Sequence, residues 1–260
     1  FTATGKVYNG NTVIVPVTHT GDDRVAGDTI GVTAGAASFS DKNVGAAKTV
    51  VLAPATIFGP DAGNYAPVTP ATLTAPITAA PLTLSVTANN KVYDGTTAAT
   101  IATRTLSGVI GADVVTASGG TATFDTKHVG NSKVVTGTGF VLGGTDGGNY
   151  TVTTTNTTTA NITARPITVT AQANTKVYDG TTSSVTNPSI TVGSIVAGDS
   201  SVSTQTYDNK NAGVGKTLTP SIVITDGNSG ANYTVTLATA ATGVITARPI
   251  SVTAITNTKE

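Results

Sequence analysis

A period of 85 residues constrains this 260-residue chain more than any other feature of it. Lys6-Val7-Tyr8-Asn9-Gly10 returns as Lys91-Val92-Tyr93-Asp94-Gly95 and again as Lys176-Val177-Tyr178-Asp179-Gly180, 85 residues apart each time. Asn64-Tyr65 returns as Asn149-Tyr150 and Asn232-Tyr233, and Ile77-Thr78-Ala79-Ala80-Pro81 returns at 162–166 and 245–249, with steps of 85 and 83. A further box reads Phe39-Ser40-Asp41-Lys42-Asn43-Val44-Gly45, then Phe124-Asp125-Thr126-Lys127-His128-Val129-Gly130, then Tyr207-Asp208-Asn209-Lys210-Asn211-Ala212-Gly213. Four boxes in one order, three times over, exclude coincidence of composition. A unit of this size is long enough to own a core, unlike the roughly 20 to 45-residue units of solenoids that must stack. The reading is of beads on a string: modules at 1–79, 80–164 and 165–247, with 248–260 as the opening strand of a fourth. Phe1 aligns with Val86, so the first module lacks counterparts of Ala80 to Ser85, and a longer parent is expected to continue in both directions.

Composition decides the class of module. There are 55 Thr and 29 Gly but a single Glu, no Met and only 11% charged residues. Thr is stiff at χ1 and suits a pleated surface, whereas helix surfaces draw on Glu, Lys, Gln and Met, so a helical protein is excluded. Fourteen basic and fourteen acidic side chains give no net charge and no electrostatic footprint for nucleic acid or an anionic membrane surface. No apolar run reaches the roughly 20 residues of a membrane span, so no membrane insertion is expected. Without Cys there is neither a disulfide framework nor thiol chemistry, and 38% apolar residues argue against a disordered tail.

Leu82 to Ala88 alternates apolar and polar with period two and runs towards the turn signal Asp94-Gly95. Further strands are expected over 97–106, 113–124, 132–142 and 150–164, separated by Gly-rich loops. The fold class is therefore all-β: three tandem antiparallel β-sandwich modules of immunoglobulin-like type, with β-grasp-like modules as the alternative. Asp61-Ala62-Gly63-Asn64-Tyr65 and Asp146-Gly147-Gly148-Asn149-Tyr150 look like a tyrosine corner, whose phenol hydroxyl bonds back to the chain; Ser229-Gly230-Ala231-Asn232-Tyr233 keeps the Tyr but loses the Asp and shifts the Gly. Connectors such as Ile162 to Thr170 carry one Pro and no Gly run, which predicts stiff junctions. Modules of about 35 Å would then line up as a rod on the order of 100 Å.

Comparison of the copies sorts the candidate chemistry. Asp94 and Asp179 give way to Asn9, which keeps the acceptor oxygen of an Asx-turn and loses the charge, so turn geometry is the expected role, with Gly95 and Gly180 completing the turn. His128 stands where the other copies have Asn, and His19 has no counterpart, so neither a His metal site nor a Ser/His/Asp triad is indicated and His128 reads as a solvated loop residue. Asp22, Asp23 and Asp28 are a weak calcium candidate that is not repeated as a group. No metal, cofactor or catalytic residue is assigned. Tyr8, Tyr93 and Tyr178 either offer a sugar-stacking platform or cover a sheet edge, and Tyr65, Tyr150 and Tyr233 belong to the corner motif. The sequons at Asn149, Asn156, Asn161 and Asn232 follow from the Thr content and are open to modification in a surface protein. One constellation recurs in order: Lys6, Asp28, Asn64; Lys91, Asp113, Asn149; Lys176, Asp199, Asn232. Lys, acid and Asn are what a spontaneous Lys–Asn isopeptide bond requires; the alternative is a solubilising Lys beside a turn Asn.

The boxes Lys91-Val92-Tyr93-Asp94-Gly95-Thr96-Thr97, Gly148-Asn149-Tyr150-Thr151-Val152 and Ile162 to Val169 together resemble the YDG-type repeats, and the related MBG repeats, of large bacterial surface proteins. Many of those are similar to filamentous-haemagglutinin-type adhesins exported by two-partner or autotransporter routes. The resemblance implies a secreted, extracellular, cell-surface stalk that projects an adhesive region for attachment or biofilm formation, without enzyme activity. A surface glycan or protein receptor is then expected to be bound by other parts of the parent, or, alternatively, by the modules themselves. Residues 249–258 match the strand that the first module lacks, which predicts strand exchange between neighbouring molecules.

Overall fold

The computed structural model describes residues 1–14, 17–68 and 72–256. Among them all regular structure is β-strand, apart from single 3-10 turns at Ala62–Asn64 and Gly147–Asn149. The chain folds as all-β tandem modules, as its Thr content and period-two alternation require.

Two sheets recur. In the first repeat a four-stranded sheet has the order Lys6–Val7, Leu73–Thr78, Gly45–Leu52, Ala37–Phe39, and the third repeat builds the same sheet from Thr175–Val177, Ala240–Thr246, Gly213–Thr225 and Ser200–Tyr207. Its inner pairs are antiparallel, but the short Lys-Val strand runs parallel to the last strand, pairing Lys6 with Ile77 and Lys176 with Ile245. The second sheet is three-stranded: Ala80–Ala88 lies antiparallel to Ile101–Ser107 and parallel to Tyr150–Val152, and Arg165–Thr170 lies antiparallel to Ser189–Val192 and parallel to Tyr233–Ala238. The expectation of purely antiparallel sheets therefore fails. The reason is the connector: Leu73–Thr78 passes through one residue into Ala80–Ala88 with no reversal, so the next strand leaves in the direction in which the last arrived.

The alternation is clean where the strand is sandwiched. Ala80, Leu82, Leu84 and Val86 are buried and Pro81, Thr83, Ser85 and Thr87 are exposed. Burying each of the larger side chains contributes about 1.5–3 kcal/mol. On the solvent face, Thr pairs do cross-strand work: the hydroxyls of Thr87 and Thr103 lie 2.6 Å apart and those of Thr170 and Thr191 2.7 Å apart.

The beads-on-a-string reading needs correction. The chain divides into two compact units, and neither is a repeat. The first unit is Phe1–Ala88 with Thr100–Thr123 and Thr136–Thr158; the second is Asn89–Ala99 with Phe124–Val135 and everything from Thr159 onward. Within the first unit one hydrophobic cluster joins Tyr8, Phe39, Val50 and Ile77 of repeat one to Ala80, Leu82 and Tyr150 of repeat two. A repeat thus borrows core from its successor, because its last strand and the successor's first are one nearly continuous run. The stub at 248–260 also differs from expectation. Residues 247–256 are in no strand, and 257–260 lie outside the described residues. The equivalent Arg165–Thr170 is a strand because it has a neighbour on each side, whereas 247–256 has neither among the described residues. A fragment ending at residue 79 should accordingly lose its cooperative thermal transition in circular dichroism, while a fragment ending at residue 164 keeps one; equal melting of the two would contradict a shared core.

Candidate functional site: the junction between repeats

The Lys of each Lys-Val-Tyr box folds back into its own turn. Lys91 Nζ donates to Asp94 Oδ1 at 2.8 Å, to the Thr96 carbonyl at 2.8 Å and to the Ala98 carbonyl at 2.9 Å, and it stands 5.4 Å from the centre of the Phe124 ring. Lys176 repeats this with Asp179, Thr181, Ser183 and the Tyr207 ring, and Lys6 with Asn9, Asn11, Val13 and the Phe39 ring. An ammonium with three acceptors and an aromatic face is a local organiser of the turn. The Asx-turn is also made: Asp94 Oδ1 accepts the Thr96 N–H at 2.9 Å and Asp179 Oδ1 the Thr181 N–H at 2.9 Å. The Lys176 ammonium, with the Thr181 N–H and hydroxyl, holds the Asp179 carboxyl down at about 2.

The middle Asp and the Asn-Tyr box form a different site. Tyr150 Oη accepts the Ile110 N–H at 3.0 Å and donates to Asp113 Oδ2 at 2.6 Å; Tyr233 Oη accepts the Val196 N–H at 2.9 Å and donates to Asp199 Oδ2 at 2.7 Å; Tyr65 Oη does the same with Val25 and Asp28. The phenol does bond back to the chain, but to a loop 34 to 40 residues upstream, farther than an immunoglobulin-type corner reaches. Asp61 and Asp146 fasten the same loop by accepting the N–H of Thr29 and of Val114, each at 2.9 Å. In the third repeat Ser229 replaces that Asp, and Asp226 closes its own turn instead, accepting the N–H groups of Asn228, Gly230 and Asn232.

In the second and third repeats the preceding repeat completes the site. In the first unit Tyr8 Oη donates to Asp113 Oδ2 at 2.6 Å, and its ring meets Tyr150 edge-on with centroids 5.3 Å apart. Lys42 Nζ lies 2.8 Å from Asp113 Oδ1 and 3.5 Å from Asp146 Oδ1. Asn149 Oδ1 accepts the Val44 N–H at 3.0 Å, and its amide donates to Asn43 Oδ1 at 3.2 Å. In the second unit the same positions repeat the pattern: Tyr93 Oη donates to Asp199 Oδ2 at 2.9 Å, Tyr93 and Tyr233 meet edge-on at 5.6 Å, Lys127 Nζ is 3.7 Å from Asp199, and Asn232 Oδ1 accepts the Val129 N–H at 3.0 Å. His128 takes the place of Asn43, its Nδ1 3.2 Å from the Asn232 amide, so it is a junction residue and not a solvated one. Gly of the turn lets the next repeat approach. Gly10 and Gly95 both have φ of 79°, and a Cβ on Gly95 would sit 2.6 Å from Val196 Cγ1.

Several sequence expectations change. The Lys–Asp–Asn trio does not assemble: Lys6, Lys91 and Lys176 serve their turns, while Asp113 with Asn149, and Asp199 with Asn232, serve the junctions, so no described Lys Nζ of the trio bonds its Asp or Asn partner. The carboxylate draws the tyrosines, which lie on the side of the approaching repeat, and the ammonium is already saturated by its turn. Tyr8 and Tyr93 are 2% and 0% exposed and offer no sugar platform; Tyr178 is partly buried. Asp22 is held by Arg24 at 2.5 Å and by His19 at 3.3 Å, and no group of three or more metal-ligating side chains occurs among the described residues. Asn149 and Asn232 are buried, which closes those two sequons in the folded chain. Lys42, Lys127, Asn43 and the Val44 and Val129 amides were not singled out from the sequence; the signal was their fixed place in a repeated box.

Electrostatics agree with the geometry. The Lys42 ammonium, then the Tyr150 and Tyr8 hydroxyls, hold the Asp113 carboxyl down at about 2, and Asp113 in turn raises Lys42. Burial first, and then the Asp199 carboxylate, push the Tyr93 and Tyr233 phenols up to about 12. Unfolded tyrosine titrates near 10, so the contribution of these two is complete below that pH and is lost as pH rises towards 12, by roughly 1.4 kcal/mol per pH unit for each phenol. Urea midpoints of the chain should fall steeply above about pH 10, and less so in Tyr93→Phe; a midpoint constant up to pH about 12 would contradict the assignment.

Among curated proteins no relative matches the sequence. The YDG domain family does, three times, over residues 1–73, 78–159 and 163–242. Its matches span most of each repeat that the boxes delimit, and the chain belongs to the YDG domain family as three tandem YDG domains.

Proposed function

We propose that these tandem YDG domains are a non-catalytic stalk segment of a bacterial cell-surface adhesin, secreted to the cell exterior, where they hold a distal adhesive region away from the surface for attachment or biofilm formation. The observation that carries this reading is where the repeated side chains are spent. Each Lys organises a turn, and each available Tyr–Asp–Tyr set fastens one repeat to the next. Chemistry kept in every copy is chemistry of connection. Each repeated carboxylate is held by the donors of its own turn or junction, which is the reason for reading the chain as no enzyme. A zero net charge suits a spacer, since it draws neither nucleic acid nor anionic lipid to its length. The adhesive contacts with glycan or protein receptors then belong to other parts of the parent. The purified chain, applied to a glycan array and to immobilised host matrix proteins, should bind none of them. Saturable binding to one glycan or one matrix protein would transfer the adhesive role to the repeats themselves.

A further inference from the structure

In the third repeat the first and last strands lie side by side and point the same way. Arg165–Thr170 runs parallel to Tyr233–Ala238, from Arg165 opposite Tyr233 to Thr170 opposite Ala238. One residue after Ala238 the last run continues as Ala240–Thr246, and Thr175–Val177 lies parallel to it, from Thr175 opposite Val244 to Val177 opposite Thr246. Between these two stretches the pairing is carried by the Ala171 N–H, which donates to the Ala238 carbonyl at 2.9 Å, and by the Val244 N–H, which donates to the Asn174 carbonyl at 2.9 Å. The ends are closed by the Arg165 N–H on the Asn232 carbonyl at 2.9 Å and the Tyr178 N–H on the Thr246 carbonyl at 2.8 Å. The second repeat is arranged alike, with Ala80 opposite Tyr150, Val92 opposite Thr163, and the Tyr93 N–H on the Thr163 carbonyl at 2.9 Å.

That direction decides how the fold meets a pull. In a tandem array tension reaches a repeat along its first strand, from the repeat before, and leaves along its last, towards the repeat after. Arg165 and Thr246 stand at opposite ends of the parallel pair, so tension draws the two runs lengthwise past each other. The evenly spaced hydrogen bonds of a parallel ladder then lie across the line of force and are loaded together. Antiparallel first and last strands would present both loaded ends on the same side, and their bonds would peel one after another. Sliding also drags the buried Ile167, Val169 and Ala171 past the buried Ile245, so apolar surface must be exposed before the strands part.

We infer that the parallel pair of first and last strands is a tension clamp, by which each repeat resists being pulled open through its neighbours. The source of the tension rests on the stalk reading, but the resistance belongs to the strand order. A chain that yields easily would leave a spacer role standing, and a chain that binds glycan would leave the clamp standing.

Single-molecule force spectroscopy tests this. The chain has no Cys, so a pair introduced at the exposed positions Pro166, Ala231 and Ala247 fixes the two points of pull. Pro166→Cys with Ala247→Cys loads the two strands lengthwise, whereas Pro166→Cys with Ala231→Cys loads them at one end and peels them. At one pulling speed the rupture force of the third repeat should be several-fold higher in the first variant than in the second, since forced unfolding reports the barrier along the direction pulled. The native chain, held by its two termini and carrying no substitution, should rupture at forces of the higher class. Equal forces in the two directions, or a native chain that extends without a resolved rupture, overturns the inference.

Discussion

The arrangement depends on a carboxylate shared between two tyrosines. Asp113 and Asp199 are drawn out of water by rings on both sides, and such burial is tolerable only because two phenol hydroxyls, and an ammonium nearby, satisfy the charge. One tyrosine of each pair comes from the same repeat and the other from the repeat before. The acid is therefore fully satisfied only when consecutive repeats are in place, and a local side-chain cluster becomes a condition on the order of the whole array.

Everything around the acid serves to hold the two donors where it needs them. The Lys of the Lys-Val-Tyr box fixes the turn that follows Tyr8 or Tyr93, so the ring is presented by an organised turn. Gly10 and Gly95 keep that turn thin enough for Ile110 and Val196 to pack beneath it. Asn149 and Asn232, buried just before the strands Tyr150–Val152 and Tyr233–Ala238, hold the loop of the preceding repeat by its Val44 and Val129 amides. The strand that follows each connector then inserts into the next repeat's sheet. Hydrophobic burial supplies the bulk of the stability, and the polar cluster sets which surfaces meet and in what register.

Much of this is legible in the sequence, and the exceptions have one origin. Period-two alternation at Leu82 to Ala88 gives the buried strand with its face correct, and exchange of Asp94 for Asn9 identifies the Asx-turn, because both are local properties. The junction is not local. Reading within one period groups Lys91, Asp113 and Asn149, whereas the contact runs from Tyr8 to Asp113 and from Tyr93 to Asp199, offsets of 105 and 106 residues that exceed the period. The same offset hides the parallel pairs and the shared core, since strand direction depends on a connector that does not turn. Residues 247–256 illustrate the converse: the sequence of a strand is present, and without neighbours on both sides no strand forms.

The central claim is that Tyr93 and Asp199 are joined by a charge-assisted hydrogen bond that fastens repeat two to repeat three. A double-mutant cycle with Tyr93→Phe and Asp199→Asn, read by urea unfolding at neutral pH, tests it most directly. The account predicts a coupling energy of about 1.5–3 kcal/mol between the two positions. Effects that add to within about 0.5 kcal/mol would show the two residues to be independent and would contradict it.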